Sequence, residues 1–169
     1  KNSWSEDSFP RENVINLSND VANARTKGAA FVVITGGESL QHNLDPLCNA
    51  IRTRTHSKEE TAIPIHLETS GVEPLSGNPN WITLSPKPHA PPRIELIKAC
   101  QELKVVINES NDLIFAETIA EKSKKFNNPL LFLQPGWNNE EGQRLTFEYV
   151  KRNPQWRLSM QTHKWLKVL

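Results

Sequence analysis

Apolar residues along this chain recur in two periods that take turns. Val14, Leu17, Val21 and Ala24 fall three or four apart after Pro10, one face of a helix that Lys27-Gly28 ends. The unbroken apolar run at residues 30–34 predicts a strand, and Leu44, Leu47, Cys48 and Ile51 return to helical spacing. A charged stretch, 52–61, reads as a solvated insertion. Further strands are expected at 63–67, 81–84, 103–107, 130–133 and 156–160, and helices at 93–101, 110–124 and 139–152. Ser110 or Asn111 has the short side-chain oxygen that caps the helix at 110–124. Mostly alternating strands and helices imply an α/β fold, with parallel strands and the helices packed outside. Right-handed crossovers curl such a sheet into a partial (β/α) barrel. No internal repeat or low-complexity segment interrupts the series, so residues 1–169 are expected to form one domain.

Side chains alternate across a strand, which sorts each strand into two faces. Ile63, Ile65 and Leu67 leave His66 and Glu68 opposite; Ile82 and Leu84 leave Thr83 and Ser85. Leu103, Val105 and Ile107 leave Lys104 and Asn108, while Leu131 and Leu133 leave Gln134. Trp156, Leu158 and Met160 leave Arg157, Ser159 and Gln161. If the apolar faces meet the helices, the polar faces line the interior. A closed barrel fills its interior with aliphatic side chains, and unpaired polar groups there would cost several kcal/mol each. A polar interior therefore predicts an open, splayed barrel that holds a polar ligand. The competing arrangement is an antiparallel sheet with its polar face in water; the intervening helices favour parallel crossovers instead.

Charge excludes some partners. The 20 basic and 19 acidic residues nearly cancel to +1, which leaves no broad electrostatic footprint for nucleic acid or an anionic membrane. The longest apolar run, 29–34, is far short of the ~20 residues a bilayer span needs, and no secretory signal opens the chain, so a cytoplasmic location is expected. The 2 cysteines, Cys48 and Cys100, fall in helical patterns far apart, giving neither a disulfide framework nor a metal-ligand spacing; both read as buried thiols. Lysine rather than methionine stands first, so the chain is expected to be a fragment of a longer polypeptide.

The chemistry-bearing residues gather where strands end. Thr35-Gly36-Gly37-Glu38, Glu68-Thr69-Ser70-Gly71, Ser85-Pro86-Lys87, Gln134-Pro135-Gly136-Trp137 and Gln161-Thr162-His163-Lys164 all follow or close predicted strands. That edge is where parallel α/β folds place their active sites. Two glycines let a backbone approach a ligand and present carbonyls to an ammonium group, although strand-to-helix turns often need glycine for geometry alone. Glu68 has an equally plain alternative as the ion-pair partner of Lys104, since a charge inside a barrel requires one. His42, His56 and His89 have no comparable context and read as loop residues.

Together these motifs resemble the 7-carboxy-7-deazaguanine synthase family of radical S-adenosylmethionine (SAM) enzymes, over the whole chain from Lys1-Asn2-Ser3-Trp4 to Leu169. The resemblance implies that Gly36, Gly37, Glu38, Ser85, Pro86, Lys87, Gln134, Pro135, Gly136 and Trp137 bind SAM. It assigns Thr35, His163 and the Leu169 carboxylate to a pterin substrate, with a ligand contact also expected of Glu68. Ser39 stands where the family usually has proline. The implied cofactors are SAM, a [4Fe–4S] cluster and Mg2+. The family's first strand, cluster cysteines and magnesium-binding threonine precede a stretch like Lys1–Trp4, so the cluster and Mg2+ ligands, and activity itself, are expected to need a segment outside this sequence. Neither Cys48 nor Cys100 replaces them, because three thiolates on one loop leave one iron open.

The implied reaction is a radical rearrangement of 6-carboxytetrahydropterin to 7-carboxy-7-deazaguanine with loss of ammonia, in which a deoxyadenosyl radical from reductive SAM cleavage abstracts hydrogen. An electron donor and a homodimer partner are implied, and direct binding of nucleic acid is not. Two alternatives stay open on the sequence: another small radical SAM enzyme such as a glycyl-radical activase, and a cluster-free binding relative.

Overall fold

A computed structural model of the protein describes residues 12–166. The first helix, α1 (Val14–Thr26), starts at Asn13, whose side chain accepts from the Asn16 N–H at 2.8 Å. It ends where Gly28 turns the chain at φ +99°. Pro10 lies outside the described residues. There follow β1 (Val32–Ile34), a short 3₁₀ turn (Ser39–Gln41), α2 (Asp45–Thr55), β2 (Ile65–Thr69), β3 (Trp81–Leu84), α3 (Ile94–Ala99) and β4 (Glu102–Ile107). Then come α4 (Ser110–Lys124), β5 (Leu130–Pro135), α5 (Glu140–Arg152), β6 (Trp156–Leu158) and α6 (Thr162–Leu166).

The 6 strands form one sheet in the order β1-β2-β3-β4-β5-β6, each parallel to its neighbours. The antiparallel arrangement is thereby excluded. Strand order that follows chain order, without a reversal, makes every crossover step the same way; right-handed crossovers then put the helices on one face and leave the other open. Burial agrees with this. In β2, Ile65 and Leu67 are buried while His66 and Glu68 are half-buried, and β4 alternates in the same way. Ile65, Leu67, Ile82, Leu84, Leu103, Val105, Ile107, Leu131 and Leu133 meet Ile51, Leu96, Ile97, Ile119 and Ala120 of the helices in one core. Each such side chain contributes about 1.5–3 kcal/mol of apolar burial. This is the partial α/β barrel that the periodicity predicts.

Local details differ from the sequence expectations for identifiable reasons. The cap of α4 is Glu109, not Ser110 or Asn111, because the Asp112 carboxylate reaches back to the N–H groups of Asn108 (2.7 Å) and Glu109 (3.1 Å). The charged stretch 52–61 is only partly a solvated insertion. Arg52 and Thr55 belong to the last turn of α2, and Arg54 donates to Ser18 at 2.7 Å. Arg25 reaches across to the carbonyls of Thr55 and Thr61, both at 2.7 Å. Between β2 and β3 no helix intervenes among the described residues. The connecting loop instead packs on α2, where a Cβ on Gly77 would lie 2.7 Å from the Cys48 sulfur and 2.9 Å from Leu44 Cβ. In β6 only Trp156 of the apolar set is buried, donating its indole N–H to Glu117 at 2.6 Å. Leu158, which ends β6, and Met160, just beyond it, stay 40% and 44% exposed, so the strand expected to 160 stops at 158.

Candidate active site

Because all the strands run parallel, their C-terminal ends share one edge, and the chain places its reactive residues there. Thr35 follows β1, and the turn after it depends on glycine: φ is +98° at Gly36 and +53° at Gly37, a region that costs other residues about 1–2 kcal/mol. A Cβ at either position would meet nothing within 4 Å, so the turn is open above its backbone. Glu38 is the anchor of this turn. Its carboxylate accepts from the Leu40 N–H (3.3 Å), the Ser70 N–H (2.9 Å) and the hydroxyls of Thr69 and Ser70, which ties the end of β1 to the end of β2. Burial pushes its carboxyl up, but these hydrogen bonds, led by those of the Ser70 and Thr69 hydroxyls, outweigh burial and hold it below its ordinary value of 4.5.

Ser39, next in the turn, is 7% exposed and its hydroxyl has no hydrogen-bond partner. An unpaired buried hydroxyl costs about 1–3 kcal/mol. Ser39 is the first residue of the 3₁₀ turn, preceded by extended backbone at Glu38 (φ −120°, ψ 102°), a setting that suits proline. Ser39→Pro is therefore expected to stabilise the protein by about 1 kcal/mol, raising the melting temperature by about 2–4 °C. A thermal melt that falls instead would show that the turn needs the serine.

On the open face, charges of both signs lie close together. Lys104 Nζ lies 2.8 Å from Glu68 Oε1, so the ion-pair alternative for Glu68 is realised. Glu102 lies on the same face, two residues before Lys104. Burial pushes its carboxyl up, with Glu68 adding to the rise and Lys104 and hydrogen bonds from Thr83 and Trp81 opposing it. Lys87, after β3, has no carboxylate within ion-pair distance among the described residues; its nearest polar contact is Ser85 Oγ at 3.5 Å. Burial holds its amine below the ordinary lysine value, with Lys104 adding to this and Glu68 and Glu38 opposing it. An ammonium this poorly satisfied beside an open turn of glycine carbonyls suits a ligand that carries a carboxylate and an amino group.

A ring stack on the same sheet has no local signal in the sequence. His66 stacks on Phe31 (4.4 Å between centroids) and on Trp81 (5.9 Å), bringing three neighbouring chain segments into one aromatic row. Burial lowers the His66 pKa. Only strand register, His66 opposite Val33 and Trp81, could have revealed the row. Across the sheet, Arg157 lies 5.8 Å from the Phe132 ring, its register partner.

The remaining strand ends form a second group. Gln134 is buried, and Gly136 passes so close to Asn108 that a Cβ there would lie 2.0 Å from its Oδ1. Trp137, 44% exposed, carries Lys164 of α6 over its ring at 5.2 Å, so the Gln161-Thr162-His163-Lys164 segment does meet the Gln134–Trp137 loop. His163 belongs to α6, and Leu169 lies outside the described residues. A cleft of about 370 Å³ lies against this loop, bounded also by Phe147, Leu158 and Met160.

Fold and site together define a radical-SAM-type partial barrel with its polar face open at the strand ends. No protein-family model matches the chain. It is 51% identical to the 7-carboxy-7-deazaguanine synthase of Prochlorococcus marinus, an alignment spanning 100% of this chain and 81% of that protein. It is 42% identical to the synthase of Synechocystis sp., over 99% of this chain and 75% of that one. The crystal structure of QueE from Escherichia coli superposes with a TM-score of 0.69 at 26% identity, covering 85% of this chain and 61% of that one. This chain belongs to the 7-carboxy-7-deazaguanine synthase family. That membership sets aside the glycyl-radical activase alternative.

The family implies SAM and a [4Fe–4S] cluster, and the described residues fit the two differently. The open Gly36-Gly37 turn and the unpaired Lys87 suit the amino and carboxylate groups of SAM. Among the described residues no cluster of three His, Cys, Asp or Glu side chains could hold a metal. Cys48 and Cys100 are both buried, and burial raises both thiols, Cys100 to about 11, which disfavours the thiolate a metal needs. No helix among the described residues is long and apolar enough to cross a membrane.

Proposed function

We propose that this protein converts 6-carboxy-5,6,7,8-tetrahydropterin to 7-carboxy-7-deazaguanine with release of ammonia, a step of 7-deazapurine and queuosine biosynthesis. The observation that carries this reading is the whole-chain relationship to the Prochlorococcus synthase, 51% identical, with chemistry-bearing residues at the end of each strand where that activity needs a ligand cup. Bound SAM supplies the hydrogen-abstracting radical; the protein supplies position and charge.

In this reading Gly36 and Gly37 offer carbonyls to the SAM ammonium, and Ser85-Pro86-Lys87 takes its carboxylate. Glu38 serves from behind, since its oxygens are already given to Thr69, Ser70 and Leu40. The Gln134-Pro135-Gly136-Trp137 loop offers an amide and an indole to the nucleoside. Thr35, Glu68, His163 and the Leu169 carboxylate receive the pterin, whose ring N–H groups call for acceptors. The test is turnover of anaerobically reconstituted full-length protein with carboxytetrahydropterin, SAM and a reductant. Mass-spectrometric detection of carboxydeazaguanine and stoichiometric ammonia is expected. SAM cleavage without either product would overturn the substrate assignment.

A further inference from the structure

We propose that Lys104 is a positioning residue for the pterin: it holds Oε1 of Glu68 and leaves the other carboxylate oxygen to the substrate. The inference rests on the substrate reading above and assigns a role to a residue that touches neither ligand in it.

The geometry starts from strand order. Glu68 stands on β2 and Lys104 on β4, with β3 between them. Neighbouring strands lie about 4.8 Å apart and Lys104 stands two residues beyond the row of Glu68, so the pair spans roughly 12 Å of sheet. Two long side chains can meet over that span only if the middle strand carries small residues, and β3 offers Thr83, in register with both Glu68 and Glu102, followed on the same face by Ser85. They meet at 2.8 Å, with the lysine side chain 15% exposed and the glutamate 35%.

The closest approach is to Oε1, and Oε2 of Glu68 accepts no hydrogen bond among the described residues. A carboxylate fixed by one oxygen and free at the other is prepared to accept from a donor in a set direction. Glu102, two residues before Lys104 on the same face of β4, adds a second negative charge near the lysine. A loose carboxylate would instead order itself on binding and lose affinity to that cost.

The experiment uses the full-length protein, SAM-loaded without reductant so that nothing turns over, and titrates carboxytetrahydropterin calorimetrically. Lys104→Met is expected to weaken pterin binding about tenfold, the scale of one hydrogen bond to a charged group, while SAM affinity stays within a factor of about two. Lys104→Arg, which can span the same gap, is expected to restore most of it. In a Glu68→Gln background Lys104→Met should add nothing, because the two act as one unit. In turnover the loss should fall on KM rather than kcat.

Should Lys104→Met fail to fold, Glu68→Asp tests the same claim. It keeps the charge but shortens the reach, and is expected to match the loss of Glu68→Gln. Losses for Lys104→Met and Glu68→Gln that simply add, an arginine variant as weak as methionine, or full affinity in Glu68→Asp would each overturn the proposal. Wild-type protein that does not bind the pterin overturns the substrate reading and this inference with it. Wild-type binding with Lys104→Met unaltered overturns this inference alone.

Discussion

Replacing Gly71 by alanine is expected to destabilise the protein by about 3 kcal/mol, lowering the melting temperature by roughly 6–12 °C. Gly71 closes the Glu68-Thr69-Ser70-Gly71 segment at φ +82°, where an L side chain is strained whatever the space. Here there is also no space. The added Cβ would lie 2.6 Å from Leu84 Cδ1 and 2.9 Å from Pro92 Cβ, and Leu84 is 0% exposed, in a core that cannot give. Gly36→Ala separates the two terms, since φ there is +98° but nothing lies within 4 Å of the new atom. It should cost about 1–2 kcal/mol, the backbone term alone. Thermal melts of both variants check this, and equal losses would show that crowding at Gly71 is relieved by movement.

Glu38→Gln is the second large effect. The carboxylate gathers two backbone N–H groups and two hydroxyls, all donors. An amide of the same size turns one of its acceptors into a donor, leaving at least one of these groups facing N–H. The expected loss is about 2–4 kcal/mol, because hydrogen bonds to charged groups are worth more than neutral ones. The pH dependence follows from the sign of the shift. The folded-state pKa of Glu38 is lowered, so its contribution is fully present above the unfolded value near 4.5 and is lost as pH falls through the lower folded value. Chemical denaturation from neutral pH down through that window should show wild type and Glu38→Gln converging as the acid protonates. A constant gap would mean that Glu38 acts through packing. Because the clamp also sets the Gly36-Gly37 turn, SAM affinity should fall with it.

Much of this architecture was legible in the sequence because it depends on local period. The apolar positions Leu103, Val105 and Ile107 announce β4 and its buried face, and the motif residues mark the strand ends. What was not legible depends on which strand lies beside which. The Phe31–His66–Trp81 stack and the reach of Lys104 across β3 to Glu68 exist only once register is fixed. Lys104 and Glu68 are recognisable as partners by charge, yet nothing local says that they meet across an intervening strand. Glu38 was read as a ligand residue because the turn resembles a ligand turn. Three of its four donors come from a strand end more than thirty residues away and the fourth from Leu40 nearby. The cap of α4 lies one or two residues before the expected Ser110 or Asn111 because Asp112, inside the helix, decides it.

The claim on which the rest depends is that the strand ends around Gly37, Ser85 and Lys87 form the SAM cup. Calorimetric titration of SAM into reconstituted full-length protein, wild type against Lys87→Met, tests it most directly. The account predicts at least a tenfold loss of affinity in the variant, with the cluster's absorption spectrum and the melting temperature little changed, since Lys87 has no ion pair among the described residues to lose. Undiminished SAM binding in Lys87→Met would contradict it.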